Sequence, residues 1–274
     1  MIPFIAGVAV LIIVVLIYKV LYDSSKLDLK YHKIPSKDSS QVHPPLHILY
    51  FSDLHWRDLW ISQKQILDVL DSRPIDLVLF GGDLDHRYPQ KALHWLATFH
   101  EALCQQSQQD LPPILGVWGN HDGDIPRTWG QSSAYRFLEN ERVDLTIHGR
   151  NWTILGLADL ETSTPDLKKT IGAKPIQEDQ SILLAHNPDV LLNIDTPKPL
   201  RLALFGHYHD GQIALPGHLE FRLLRRKDKL ASEGYISGFY TRKGQDFIIS
   251  HGIGNTFLPF RFRSHAAIDY IVLE

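Results

Sequence analysis

The chain has 274 residues, 44% of them hydrophobic, and a formal net charge of −3. That allows one large core or two small ones, and without a long like-charged block nothing points to bulk nucleic-acid binding. Its single cysteine, Cys104, excludes an internal disulfide and a thiolate metal cluster and is compatible with a reducing compartment, whereas 15 histidines are many for this length.

From Ile2 to Tyr18 the chain carries no charge, and Val20, Leu21 and Tyr22 extend the apolar run past Lys19, whose amine can snorkel. Such a segment lies near the lower limit of the ~17–25 residues that span a hydrocarbon core. A cleaved signal peptide would have a basic start, a shorter apolar region and a small-residue cleavage site. Here Met-Ile-Pro opens the chain and Tyr-Lys-Val-Leu-Tyr-Asp follows, so residues 1–22 read as an uncleaved transmembrane anchor. Lys19, Lys26, Lys30 and Lys33, diluted by Asp23 and Asp28, place the following domain on the cytoplasmic side. Twin arginine is absent, so that export route has no signal here. Residues 23–45 are polar, with Ser-Ser twice and three prolines, and read as a linker or an irregular approach to the first strand.

From Leu46 to the end, strand and helix patterns alternate. His47 to Phe51 reads as a strand ending in Ser52-Asp53-Leu54-His55. A helix over Ile61–Leu70 stops at Arg73-Pro74. Leu77 to Phe80 reads as a buried strand, and Gly81-Gly82 then turns the chain sharply to deliver Asp83 at the strand's carboxyl end, where open α/β sheets place their sites. A longer helix runs from Gln90 to Gln106. The strand Ile114–Trp118 ends in Gly119-Asn120-His121-Asp122. Ser132 to Asn140 reads as a short helix, Val143–Ile147 with Trp152–Leu157 as a β pair, and Pro165 as the opening of another short helix. The strand from Ile182 to Ala185 ends in His186-Asn187-Pro188, and the one from Leu202 to Phe205 ends in Gly206-His207-Tyr208-His209. Beyond His209 the pattern is mostly β, including Phe247–Ser250 and Tyr270–Leu273. Early β-α-β alternation with later hairpins predicts an α/β fold: a mixed-sheet sandwich flanked by helices.

Five strand-like runs thus end in Asp, Asn or His. One such dyad is an ordinary polar loop or an N-cap; five in succession are not. Asp-x-His and His-x-His at a strand end can aim both side chains into one crevice. Carboxylate, imidazole and amide oxygen suit Mn²⁺, Zn²⁺, Fe or Mg²⁺, and the number of donors exceeds what one ion needs and fits two.

The series Asp53-x-His55, Gly82-Asp83, Gly119-Asn120-His121-Asp122, Ala185-His186-Asn187-Pro188 and Gly206-His207-x-His209 resembles the calcineurin-like metallophosphoesterase superfamily, over the chain from about Leu46 to its end. Gly206 to Gln212 with Leu215-Pro216-Gly217, and Gly252-Ile253-Gly254 with Leu258-Pro259-Phe260-Arg261-Phe262, are similar to a membrane-anchored bacterial phosphodiesterase branch. That branch includes UDP-2,3-diacylglucosamine pyrophosphatases of lipid A synthesis. The resemblance implies a metallophosphoesterase domain over residues 46–274, held at the bacterial inner membrane. It implies one metal on Asp53, His55, Asp83 and His209, and a second on Asp83, Asn120, His186 and His207. Mn²⁺ is the foremost candidate, the nucleophile is a solvent hydroxide between the ions, and His121 faces the phosphoryl group as stabiliser or proton donor. A phosphate-ester substrate follows, with a lipid-linked nucleotide as one candidate and a soluble nucleotide or cell-envelope ester as the alternative. Members that lose their ligands can serve as metal-free interaction modules, but here all eight positions are filled.

Two departures stand out. Many relatives carry an Asp three places after the bridging one, to orient the catalytic imidazole; here that place is His86, leaving Asp85, Asp122 or no residue for the role. Tyr208 and Asp210 replace the Thr and Gly of a common Gly-His-Thr-His-Gly-Gly-Gln motif. The basic stretch Glu220–Lys229 reads as a solvated loop or as a contact for anionic headgroups or phosphates. Trp56, Trp60 and Trp118 read as core or as an apolar entry.

Overall fold

The computed structural model describes residues 2–36, 43–194 and 199–274. Helix α1, Ile2–Ser25, is apolar along nearly its whole length, and its described side chains are exposed through Tyr18. It is long and apolar enough to cross a membrane.

Two six-stranded sheets pack face to face. The first is ordered β1-β12-β2-β3-β4-β5, from Leu27–Ile34 (β1), Leu46–Phe51 (β2), Leu77–Phe80 (β3), Ile114–Val117 (β4), Tyr135–Leu138 (β5) and Ala266–Leu273 (β12). The second is ordered β10-β11-β9-β8-β7-β6, from Glu141–Ile147 (β6), Arg150–Gly156 (β7), Ser181–Leu184 (β8), Leu202–Phe205 (β9), Gly238–Arg242 (β10) and Gln245–Ile249 (β11). β2 to β5 run parallel, as do β7 to β9 with β11; the antiparallel pairs are β12 with β2, β6 with β7 and β10 with β11. This is the expected mixed α/β sandwich.

Alternation along each strand builds three apolar layers. Ile48, Tyr50, Leu77, Leu79, Leu115 and Val117 meet Ile154, Ile182, Leu184, Leu202, Leu204 and Ile248 between the sheets. Leu49, Phe51, Val78 and Phe80 face outward onto Gln63–Leu70 (α2) and Pro89–Ser107 (α3). Leu155, Leu183, Ala203, Phe205 and Phe247 face the short helices Leu167–Ile171 (α4), Leu219–Leu223 (α5) and Lys229–Ser232 (α6). Because β3, β4, β8 and β9 are covered on both faces, their sequences are apolar runs, save for Ser181 at the start of β8. Each fully buried aliphatic side chain contributes about 1.5–3 kcal/mol. Ser62 starts α2 with a capping box to Gln65, and Pro89 starts α3.

Three elements differ from the sequence reading. Within the expected linker, Leu27–Ile34 is a strand parallel to β12; residues 37–42 lie outside the described residues. Leu27 and Leu29 join the core layer while charged partners between them face away, so alternation outweighs polar composition. The expected helix over 132–140 is instead β5, whose Tyr135 and Phe137 suit a pleated surface beside β4. The expected β-rich stretch after His209 begins with α5 and α6.

Candidate metal centre

The site lies where β2, β3, β4, β8 and β9 end. Their tips leave the sheet through backbone turned left-handed at Asp53, His55, Asp83, His207 and His209, with φ of 55°, 39°, 62°, 72° and 55°. L-residues seldom adopt this region, and it survives only where the surroundings over-determine it. Here the surroundings are amide bonds: Leu54 N and His55 N donate to Asp83 O, and Asp53 N donates to Gly82 O. The approach of the tips also needs missing side chains. A Cβ on Gly119 would strike the Asp83 carboxylate, and one on Gly82, at φ +94°, would lie 2.8 Å from Gly119 N.

All seven expected metal ligands converge. His55 Nε2, His209 Nε2, Asp53 and Asp83 form a buried group whose donor atoms all lie within 4.8 Å of one another. His209 Nε2 is 3.2 Å from Asp53 Oδ1 and 3.3 Å from His55 Nε2. A second nest adjoins it: His186 Nε2 lies 3.1 Å from Asn120 Oδ1, and His207 Nδ1 lies 3.1 Å from the same oxygen. Asp83 Oδ2 belongs to both nests, 3.4 Å from His55 Nε2 and 3.3 Å from His186 Nε2.

These donor sets fit divalent cations, on one observation in particular. His186 Nδ1 sits 2.8 Å from Gly81 O and donates its proton there, so in the neutral ring Nε2 is a lone pair. That lone pair faces the Asp83 carboxylate, Asn120 Oδ1 and, at 3.3 Å, His207 Nδ1. Without a metal, and against the effect of burial, the Asp83 charge favours a proton on the His186 ring and raises its pKa; a divalent ion between these donors would supply the same positive charge. His207 in turn presents Nε2 to Asp228, 3.7 Å away, and Arg225 pairs with Asp228 at 2.6 Å while donating to the carbonyls of His207 and Tyr208. Arg225 and Asp228 come from the basic stretch; part of it therefore supports the site.

His121 donates its backbone N–H to Asp83 Oδ1 at 2.9 Å, and its ring lies beside those of His55 and His86, with centroids 5.2 and 6.1 Å away. Burial lowers its pKa, so the neutral imidazole predominates at pH 7. Among the described residues no carboxylate bonds to this ring. Asp85 accepts the amides of Arg57, Arg87 and Tyr88, and Asp122 those of Asp83, Leu84 and Gly119. Both acids therefore brace loops. Burial, then the neighbouring Asp83 charge, push Asp122 up to about 7 against those amide bonds.

Of the two replaced positions, Tyr208 is buried and donates to Asp189 at 2.8 Å, while Asp210 accepts from Ser237 at 2.6 Å and lies 3.4 Å from His251. Trp118 is core, stacked on Phe137; Trp56 is half-buried against Tyr88; Trp60 is exposed. Arg261, part of the branch-like motif Leu258–Phe262, was given no role by the sequence. Fully buried, its guanidinium donates to the carbonyls of His209, His251, Gly252, Gly254 and His265, and burial lowers its pKa to about 10. A groove of about 460 Å³ opens beside the nests, walled by His55, His121, Arg57, His86, Arg87 and Phe257.

Comparison with known proteins agrees with this architecture. Residues 46–211 match the family model for calcineurin-like phosphoesterases. The chain is 26% identical to the uncharacterized metallophosphoesterase YkoQ of Bacillus subtilis, over 96% of this chain and 97% of that protein. It is 29% identical to the uncharacterized metallophosphoesterase YkuE of the same organism, over 83% and 78%. It is 26% identical to the phosphodiesterase YaeI of Escherichia coli, over 63% of each chain. With 46–211 matched and these relatives alongside, the chain belongs to the calcineurin-like phosphoesterase family and is a hydrolase of phosphate esters.

Proposed function

We propose that the protein is a membrane-anchored phosphodiesterase or pyrophosphatase working with two divalent ions, Mn²⁺ foremost, at the cytoplasmic face of a bacterial inner membrane. The observation that carries the reading is the shared position of Asp83 Oδ2 between two nests of donors. Asp53, His55, Asp83 and His209 would hold one ion; Asp83, Asn120, His186 and His207 would hold the other. Such ions polarise phosphoryl oxygens and acidify water into the neutral range. The retained nests argue against a metal-free interaction module.

The chain's own groups do the rest. Arg87 and Arg57, the latter paired with Asp58, line the groove that would receive the phosphate and can donate hydrogen bonds to its oxygens. His121 stands on the groove wall, where its ring N–H can bond a non-bridging oxygen or, in the imidazolium form, pass a proton to the leaving oxygen. α1 supports anchoring, and the lysines after it support the cytoplasmic side. The similarity to a protein named phosphodiesterase favours a diester over a monoester. UDP-2,3-diacylglucosamine, cleaved to lipid X and UMP, is the specific candidate.

Comparing bis- with mono-p-nitrophenyl phosphate in Mn²⁺ tests the diester reading, and UMP release from UDP-2,3-diacylglucosamine tests the substrate. Diester hydrolysis without UMP release moves the substrate to a soluble nucleotide or a cell-envelope phosphodiester. Hydrolysis of the monoester alone overturns the diester reading.

A further inference from the structure

α1 is fastened to the catalytic domain at its last turn. Asp23, fully buried, accepts Arg263 N at 2.7 Å and lies 3.2 Å from His265 Nε2. Ser24 Oγ accepts Arg261 N at 2.8 Å, and Gln65 donates to Ser25 O. These contacts begin one residue beyond Tyr22, which with Tyr18 and Lys19 makes the aromatic and cationic girdle expected at a bilayer surface. At ~1.5 Å of rise per residue, the segment Arg261–His265 lies within a helical turn of that surface.

Two loops radiate from this point, and each ends in apolar side chains facing water. Phe257 is four residues before Arg261, hence at most ~14 Å away along the chain. It is 97% exposed, and its backbone is left-handed at φ 61°, rare for an aromatic residue. Gln212 holds it so, accepting Thr256 N and donating to the carbonyls of Leu258 and Phe260. The second loop is joined to the first where Ala214 N donates to Phe262 O, and Glu220 accepts Leu215 N one residue later. From there α5 buries Glu220 and Phe221 and turns Leu223 and Leu224 outward, 57% and 79% exposed, beside exposed Arg222 and Arg226. Apolar tips interleaved with cations at the exit of a membrane helix are the composition of an interfacial contact with anionic lipid.

We propose that these two loops form a bilayer-docking face, with Phe257, Leu223 and Leu224 entering the interface and Arg222 and Arg226 meeting anionic headgroups. The inference rests on the membrane-anchored reading above and deepens it. Phe257 also walls the groove that contains His55 and His121, so docking turns that groove toward the lipid surface. Its substrate class is then a phosphodiester whose apolar part stays in the bilayer.

The test uses the full chain with Cys104→Ser and one new cysteine at Phe257→Cys, Leu224→Cys or, as control, Asn151→Cys, which is exposed near the opposite end of the sheets. Each carries an environment-sensitive dye in nanodiscs of phosphatidylcholine and phosphatidylglycerol, with spin-labelled lipid as quencher. Expected are blue-shifted emission and several-fold stronger quenching at 257 and 224 than at 151, weakened by Arg222→Glu with Arg226→Glu. Quenching at 257 and 224 no greater than at 151, in protein that floats with lipid, overturns the docking face and leaves the anchor standing. Protein that does not float with liposomes overturns the anchor and the docking face together.

Discussion

Asp122 offers the sharpest test of how the centre is held. Its buried carboxylate accepts Asp83 N at 2.9 Å, Leu84 N at 2.8 Å and Gly119 N at 2.8 Å, clamping the loop after β3 to the loop after β4. Asp122→Ala strands three buried donors. At ~1–3 kcal/mol for each, and toward the low end because water can enter the vacated space, the loss is about 3–6 kcal/mol. For a domain of this size ~1 kcal/mol corresponds to ~2–4 °C, so the melting temperature should fall by roughly 6–24 °C. Asp122→Asn keeps one oxygen, enough for Asp83 N and Gly119 N, but turns its amide toward Leu84 N–H; a smaller loss of about 1–3 kcal/mol follows. Calorimetry on detergent-solubilised protein, with and without Mn²⁺, measures both. If Asp122→Ala melted within ~1 kcal/mol of the parent while turnover collapsed, the clamp would be refuted and an orienting role toward His121 restored.

Metal analysis after dialysis against Mn²⁺ should give two ions per chain, and Asp83→Asn should abolish turnover and lower the metal content; a reproducible value of one in the parent would remove the bridging role. His121→Ala should keep both metals and lower turnover by about 10²–10⁴-fold, less for a nitrophenolate leaving group than for UMP or an alcohol; equal losses would leave electrostatic stabilisation as its only role. In metal-free protein Asp122 should cost stability as pH rises from 3.8 toward about 7, because it binds its proton more tightly folded than unfolded, while His209, lowered by burial to about 4, contributes the opposite slope; the difference between parent and Asp122→Asn in urea titrations at each pH isolates the Asp122 part, which Mn²⁺ beside Asp83 should flatten. A reporter fused to the carboxyl terminus should be active in the cytoplasm only.

That the residues of the centre would converge was legible because Asp, Asn and His recur in series at successive strand tips. The backbone that aims them was not: nothing in Asp53, His55 or His207 announces left-handed φ, which is imposed by amide bonds between loops distant in sequence. Asp122 looked like a partner for His121 because it follows it directly, yet a 3₁₀ turn at Asn120–Asp122 sends its carboxylate back to Asp83 N and Gly119 N. Arg261 stood in the branch-like motif Leu258–Phe262 but its role there gave no signal, since its partners are carbonyls, which every residue has. β1 was hidden by composition: Asp28, Lys30, His32 and Lys33 look like a tether until the alternation of Leu27, Leu29 and Tyr31 is weighed against them. The short helices after His209 are too brief for periodicity to reveal.

The pairing of β1 with β12 has a consequence for how the protein is made. Leu27 lies opposite Ala266 and Ile34 opposite Leu273, so the first strand to leave the ribosome waits for the last. In the sheet β12 lies between β1 and β2, which are not neighbours. α1 can therefore form long before the sheet beside it closes, and closure must await synthesis of β12. Until then β1 and β2 each present an unpaired edge. Loss of β12, Ala266–Leu273, would make that open state permanent, with the centre's loops intact in sequence but the sheet that carries them split from β1.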